Sequence, residues 1–543
     1  MLLQDQLKRY KDFFSEFLNI LFTIPIRFPW IPVFLTIGIV LRITGFRTAF
    51  IWYDEMFSLE MTRQGLLEMI QSLKTNISPP GWEISLWFLT RVFGWNDFSL
   101  RILSILAGIA ILILVYRISL ILKFTREQQI ASLALIAILP YQILVTQQGR
   151  VYAIFALLYL LGIYGLVSGR WILLGISISG MLWSHNISFL FIPGLILAGI
   201  NTNYRNWKKL LSIVGIASAT YLPWVSETIR HVGLSAPWFK PITVVSFFVQ
   251  LYEVFFAWGF PNGYAFITVA FYWLISLIVT ALIISSTLWS VKSLQVLTQT
   301  ISRFFKKNSG MQHNHVSTLH HFQNSPNAQQ TLLLAFGIPF LLLFATSILV
   351  RNVFFNRTIY PLTIPLIMWL VLFYGKPYSN KVHMLIWIIS ILFITGILPY
   401  WTPSQIGQSG IQDLKNVISA SSTSSQKDLR EDVIIYHNTG LSALIFNYYF
   451  PSYKNYLIDG NNVLGAIDLH IAKTRMKRIT PEELPRQKTW VVWTRYSDLE
   501  IINRVADKRF RDLVNKYDCP LVTIIPYPNS WDFYVYLCDL EDR

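Results

Sequence analysis

Two adjacent carboxylates, Asp54 and Glu55, follow an apolar run from Phe28 to Leu41, with Trp52 and Tyr53 directly before them. An acid beside a membrane costs desolvation energy unless it has work or partners, so ionisable groups there are functional candidates. Trp and Tyr favour the headgroup level, which suits a loop at the water–lipid boundary. A solvated Asp-Glu pair in an ordinary loop would look the same. Further along stand Arg101, Arg150 and Arg357, each at an end of an apolar run, with Glu83, Tyr152 and His185 on the same side in the topology derived below. A guanidinium grips a phosphate through two parallel hydrogen bonds. A carboxylate takes the proton of an attacking hydroxyl. One acid and several arginines on one membrane face describe group transfer from a lipid-linked phosphate donor to a hydroxyl. Each arginine alone reads more readily as a topology or headgroup anchor; their number on one face raises the joint reading. No phosphate-cradling glycine loop and no serine nucleophile motif is present.

The rest of the composition says where such chemistry would run. Hydrophobic residues make up 53% of the 543 positions and charged residues only 14%. Mean hydropathy is +0.46. Soluble domains carry about a quarter charged residues, so this is an α-helical polytopic membrane protein. A net charge of +16 would suggest nucleic acid in a soluble chain. Here the basic residues occupy short loops between apolar runs, where they report orientation and headgroup contact; membrane lipids are the expected partners and nucleic acid is not.

Hydropathy places spans near 28–41, 100–122, 130–145, 151–168, 171–184, 187–200, 210–225, 264–290, 331–350, 358–374 and 382–400, about eleven in all. Basic clusters from Lys8 to Arg27, Arg117 to Arg126, at Arg170, Arg205 to Lys209, Lys292 to Lys307, and at Lys376 and Lys381 then fall on one side, which the positive-inside rule makes cytoplasmic. The N-terminus is cytoplasmic in this reading, and the tail beyond 400 is extracytoplasmic. A multi-pass protein of a bacterial-type plasma membrane is expected. Residues 1–27 have one apolar face, including Leu3, Leu7, Phe14 and Leu21, and read as a cytoplasmic interfacial helix rather than a cleavable signal.

The transmembrane module covers 28–400. Its first extracytoplasmic loop, 50–100, holds a helix around 58–73 and a juxtamembrane helix over 79–94, where Glu83 and Arg91 argue against a span. A flexible cytoplasmic loop, 291–330, carries His313, His315, His320 and His321 without an accompanying Cys or acid, which disfavours a metal site there. Residues 401–543 form a small α/β domain, with strand-like runs at Val433–Tyr436 and Trp490–Trp493 and a helical stretch from Asp498 to Tyr517. Cys519 and Cys538 both fall there, on what read as neighbouring strands. An even count on an oxidising side favours a disulfide; two separate buried thiols are the alternative.

Taken in order, several short motifs resemble the GT-C glycosyltransferases. They are Trp52-Tyr53-Asp54-Glu55, Ser78-Pro79-Pro80, Phe93-Gly94 followed by Arg101-Ile102-Leu103-Ser104, Gln147-Gln148-Gly149-Arg150-Val151-Tyr152-Ala153, Ser184-His185-Asn186, and Arg357-Thr358-Ile359-Tyr360-Pro361 running on to Pro365. Within that superfamily the set is most similar to the protein O-mannosyltransferase and lipid A aminoarabinose transferase group. The resemblance runs from residue 40 to about 375 and matches the tail only as an outer soluble domain.

It implies a polyprenyl-phosphate-sugar donor, inverting hexosyl or pentosyl transfer of a mannosyltransferase-like kind, and a lipid, protein or glycan acceptor. Asp54 would be the general base, assisted by Glu55. Arg150 and Arg357 would hold the donor phosphate with Arg101 and Tyr152, and His185 and Glu83 would contact donor or acceptor. The chain has Ser78 where the family often has His, and Gln148 where it often has Glu, and both departures weaken the case for a divalent metal. A transporter or flippase of a lipid-linked sugar is the rival reading. Such proteins tend to place ionisable residues at the midplane within repeats, whereas here they gather at the outer ends and no two-fold repeat is visible.

Overall fold

The structure, a computed structural model, describes residues 30–44, 51, 53–74, 78–203, 206–232, 241–256, 328–374, 434–437, 440–449, 454–458, 478–479, 489–496, 514–516, 518–527 and 531–538. The interfacial helix of 1–27, the spans near 264–290 and 382–400, the histidine-bearing stretch and most of the 498–517 helix lie outside the described residues.

In chain order the helices are α1 (Trp30–Thr44), α2 (Tyr53–Met61), α3 (Leu66–Leu73), α4 (Gly81–Phe93), α5 (Asp97–Ile121), α6 (Arg126–Ala137), α7 (Pro140–Gln147), α8 (Tyr152–Ser168), α9 (Trp171–Ser184), α10 (Ser188–Asn203), α11 (Trp207–Ala219), α12 (Leu222–Val232), α13 (Val244–Phe256), α14 (Ala328–Leu349) and α15 (Asn356–Tyr374). The chain then alternates: β1 (Ile434–His437), α16 (Gly440–Tyr449), β2 (Lys454–Ile458), β3 (Arg478–Ile479), β4 (Thr489–Tyr496), β5 (Leu521–Tyr527) and β6 (Trp531–Cys538). It divides into two compact units. The first takes residues 1–44, 78–82 and 101–399; the second takes 45–77, 83–100 and 400–543, so most of the first loop shares a unit with the tail.

The first unit is a helical bundle. Among the described residues, three helices are long and apolar enough to cross a membrane, or five spans if the bent pairs α6–α7 (52°) and α11–α12 (69°) each count once. The chain is an integral membrane protein. Other stretches read as spans from hydropathy are helices of 10–17 residues, among them α1, α8, α9 and α10.

At two prolines of these helices, the freed carbonyl is served by a side chain of a neighbouring helix. Pro140 opens α7 and has no N–H, so the Ile136 carbonyl four residues earlier has no helical donor. The Arg42 guanidinium of α1 supplies one. Its Nη2 donates to Ile136 O at 3.2 Å, and its Nη1 donates to Ala137 O at 3.1 Å and Gly38 O at 2.9 Å. Arg42 has 0% exposure, and three carbonyl dipoles face its two terminal nitrogens. A Cβ on Gly108 would collide with Thr146 and stand 3.1 Å from Arg42 Cδ, so glycine there makes room first for Thr146 and then for the arginine stem. The same logic recurs at Pro339 inside α14, which frees the Ala335 carbonyl. That carbonyl accepts a hydrogen bond from the Tyr159 hydroxyl of α8. Around it, Phe155 and Tyr159 each meet Phe191 of α10 edge to face at 5.0 and 4.9 Å.

In the second unit a six-stranded sheet has the order β3-β2-β1-β4-β6-β5. The first four strands pair parallel, while β4–β6 and β6–β5 pair antiparallel. The strand-like runs noted in the sequence are β1 and part of β4. The helix α16 crosses from β1 to β2 and buries Ile445 and Phe446, while β4 and β6 bury Trp490, Val491, Val492 and Val535. Cys519 lies just before β5 rather than on a strand, and forms a disulfide with Cys538 at the end of β6, with α-carbons 4.5 Å apart. The helix expected over 58–73 is two helices, α2 and α3. Gly65 stands between them with extended backbone (ψ 149°), where a glycine weakens any continuous helix.

Candidate active site

The residues singled out in the sequence fall into two clusters, one in each unit. In the second unit, Asp54 and Glu55 occupy the first turn of α2, not a loop. Carboxylates suit that place because the helix N-terminus carries partial positive charge. Asp54 is half-buried and Glu55 is buried. One turn on, the Ser58 hydroxyl donates to Glu83 Oε1 at 3.0 Å, and Glu83 is itself 2% exposed. Glu83 thus braces the helix that carries Asp54. The far end of α2 is braced by Trp95, whose indole N–H donates to Leu59 O at 2.9 Å. The Arg63 guanidinium lies 3.6 Å above that indole ring and also pairs with Glu60 at 3.3 Å.

In the first unit, Arg150, Tyr152, His185 and Arg357 come together. Arg150 sits in the turn that enters α8; its N–H donates to Gln148 O at 2.9 Å and its carbonyl accepts from Ser104 Oγ at 3.1 Å. Arg101 is fully buried three residues before Ser104, on the same face of α5. Arg357, in the first turn of α15, places its guanidinium carbon 5.9 Å from the Tyr152 ring centroid and 5.8 Å from that of Phe355.

His185 lies in the turn between α9 and α10, its ring centroid 5.9 Å from that of Tyr152. Burial, then Arg357, then Arg150 depress its pKa to about 3. Its Nδ1 accepts from the Ile187 N–H at 3.2 Å, so the neutral ring carries its proton on Nε2. A neutral donor beside two guanidiniums is an arrangement that receives an anion.

Three polar residues that sequence reasoning left without a role support Arg357. The Asn356 N–H donates to Gln250 Oε1 at 2.5 Å and its Nδ2 donates to Glu253 Oε2 at 2.9 Å. Gln250 Nε2 donates to the same carboxylate oxygen at 3.3 Å, and the Arg357 N–H donates to Asn356 Oδ1 at 2.6 Å. Burial raises the Glu253 carboxyl to about 7, opposed by the Asn356 bond. The signal available was the polar trio itself, set in segments rich in Phe, Val and Leu. Among the described residues, no group of three or more His, Cys, Asp or Glu is placed to hold a metal ion, so no step is assigned to one.

No protein-family model matches the chain, and no curated protein sequence matches it. Among solved structures it is similar to ArnT from Cupriavidus metallidurans bound to undecaprenyl phosphate, with a TM-score of 0.51 and 11% identity over 93% of this chain and 98% of that one. It also matches ArnT from the same organism in the apo state, with a TM-score of 0.48 and 13% identity over 93% and 97% of the two chains. The chain therefore shares its fold with that ArnT structure bound to undecaprenyl phosphate.

Proposed function

We propose that this protein is a membrane glycosyltransferase that moves a sugar from a polyprenyl-phosphate donor to a hydroxyl on a lipid, protein or glycan acceptor, at the extracytoplasmic face and with inversion. The observation that carries this reading is the gathering of His185, Tyr152 and Arg357 in one cluster, with Arg150 in electrostatic reach, in a fold whose solved neighbour binds undecaprenyl phosphate. In the proposed step the acceptor oxygen attacks the anomeric carbon as the bond from that carbon to the phosphate oxygen breaks. The acceptor proton passes to the Asp54 carboxylate. The departing polyprenyl phosphate gains negative charge, which Arg150 and Arg357 stabilise by charge-assisted hydrogen bonds and His185 Nε2–H by a further one. Glu55 and Glu83 shape the helix that presents Asp54, and Arg101 adds positive potential. The same reading places the N-terminus in the cytoplasm and the disulfide-bonded tail outside.

The test uses purified full-length protein with a panel of undecaprenyl-phosphate sugars, following sugar release and transfer by mass spectrometry alongside undecaprenyl phosphate binding. Asp54→Asn should bind undecaprenyl phosphate normally and transfer nothing measurable. Transfer at the wild-type rate removes the base assignment. Movement of the lipid-linked sugar across vesicles that survives Asp54→Asn would instead favour a flippase.

A further inference from the structure

Two tyrosines of the tail grip the segment that bears Asp54, and we infer that Tyr449, with Tyr448, is a positioning residue for that acid. The inference rests on the glycosyltransferase reading above. All the groups concerned belong to the second compact unit. The Ile51 N–H, three residues before Asp54, donates to Tyr449 Oη at 3.0 Å. Ile51 is wholly buried, so its amide must find a partner inside the protein. A residue 398 positions away in sequence supplies it. The neighbouring Tyr448 hydroxyl donates to Asp97 Oδ1, and its ring lies 5.3 Å from Trp95, the residue bonded to Leu59 O at the far end of α2.

The helix carrying Asp54 and Glu55 is therefore held before its first turn through Tyr449, and at its last turn through Tyr448 and Trp95. The Tyr448 and Tyr449 rings meet edge to face at 5.1 Å, and α16 is seated by the buried Ile445 and Phe446. The tail thus acts in the reaction by fixing where the base stands.

A base must be held to within about half an ångström to work, and small displacements cost about a hundredfold in rate. Removing one of several supports should cost less. Tyr449→Phe should lower kcat about tenfold while the donor KM and the affinity for undecaprenyl phosphate stay within about twofold, because the phosphate contacts belong to Arg150 and Arg357. Hydrogen–deuterium exchange of the α2 amides should rise about fivefold in the same variant, with the melting temperature lowered by only a few degrees. Unaltered exchange over α2 overturns the inference whatever the turnover. So does a parallel fall of kcat, donor affinity and melting temperature, which would mark a general stabilising role. If Asp54→Asn is inactive while Tyr449→Phe turns over normally, this inference fails and the glycosyltransferase reading stands. If Asp54→Asn transfers normally, both fail.

Discussion

The arginine cluster and the Asp54 helix are supported over very different stretches of chain. Ser104 steadies Arg150 from 46 positions away, and Gln250 and Glu253 hold Asn356 from 106 and 103 positions away. These supports come from helices of one bundle, where a membrane forces neighbours to satisfy each other's polar groups. Asp54 depends on Tyr449 and, through Trp95, on Tyr448, both from the far end of the sequence. The first arrangement is a site built into a scaffold; the second is a site completed by a separate segment. On the proposed roles, a phosphate grip would tolerate changes in the tail, whereas the acid would not.

Perturbing each side separately sharpens this contrast. The largest effect is expected at Asp54, where loss of general-base catalysis costs about a hundredfold or more in transfer rate with donor binding intact. Donor affinity falling in parallel would show that the two clusters are not separable in function. Next comes Arg42→Met, which leaves the Ile136 and Ala137 carbonyls without their donor; thermal unfolding in detergent should show a loss of about 3 kcal/mol. Undecaprenyl phosphate affinity should change little if the arginine cluster is a local construction.

Arg357→Ala should weaken undecaprenyl phosphate binding by about 1.5–3 kcal/mol, with Lys restoring only part because it lacks the planar fork. Binding unchanged in isothermal titration would remove Arg357 from the phosphate site. The smallest effect concerns His185, whose pKa is about 3 in the folded protein against an ordinary 6.5. The unfolded chain takes up this proton first, so His185 opposes folding as pH falls from about 6.5 to 3 and contributes nothing adverse above that window. A non-titrating His185→Asn variant should lose less stability than wild type over that range; equal acid sensitivity would place the imidazole in contact with solvent.

Much of the bundle was legible because hydropathy and helix length report the same thing. The stretch read as 100–122 is α5 at Asp97–Ile121, and that read as 331–350 is α14 at Ala328–Leu349. The breaks were not legible. Pro140 sits among Leu, Ile and Val, so an average over the window hides it. Arg42, one residue beyond the expected first span, is not singled out by the sequence, because nothing in its own neighbourhood shows that a carbonyl near position 136 lacks a donor. In the cluster, Arg150, Tyr152, His185 and Arg357 could be named because charged and aromatic residues stand out against apolar runs. Gln250 and Asn356 could not, since uncharged amides leave hydropathy and charge patterns almost untouched. The grip of Tyr449 on Ile51 has no local signature, because a phenol among aromatic neighbours reads as core.

The cross-helix repair at Pro140 also constrains how the protein is made. Arg42 leaves the ribosome 95 residues ahead of the Ala137 carbonyl that it needs, and until then its charge has no complete set of acceptors. On its own in lipid the helix Trp30–Thr44 would carry the cost of a lone guanidinium. Insertion of α1 is therefore expected to be completed only once α6 and α7 have arrived. Nascent chains halted before Arg126 should remain crosslinkable to the insertion machinery through α1, and those halted well beyond Gln147 should be released from it.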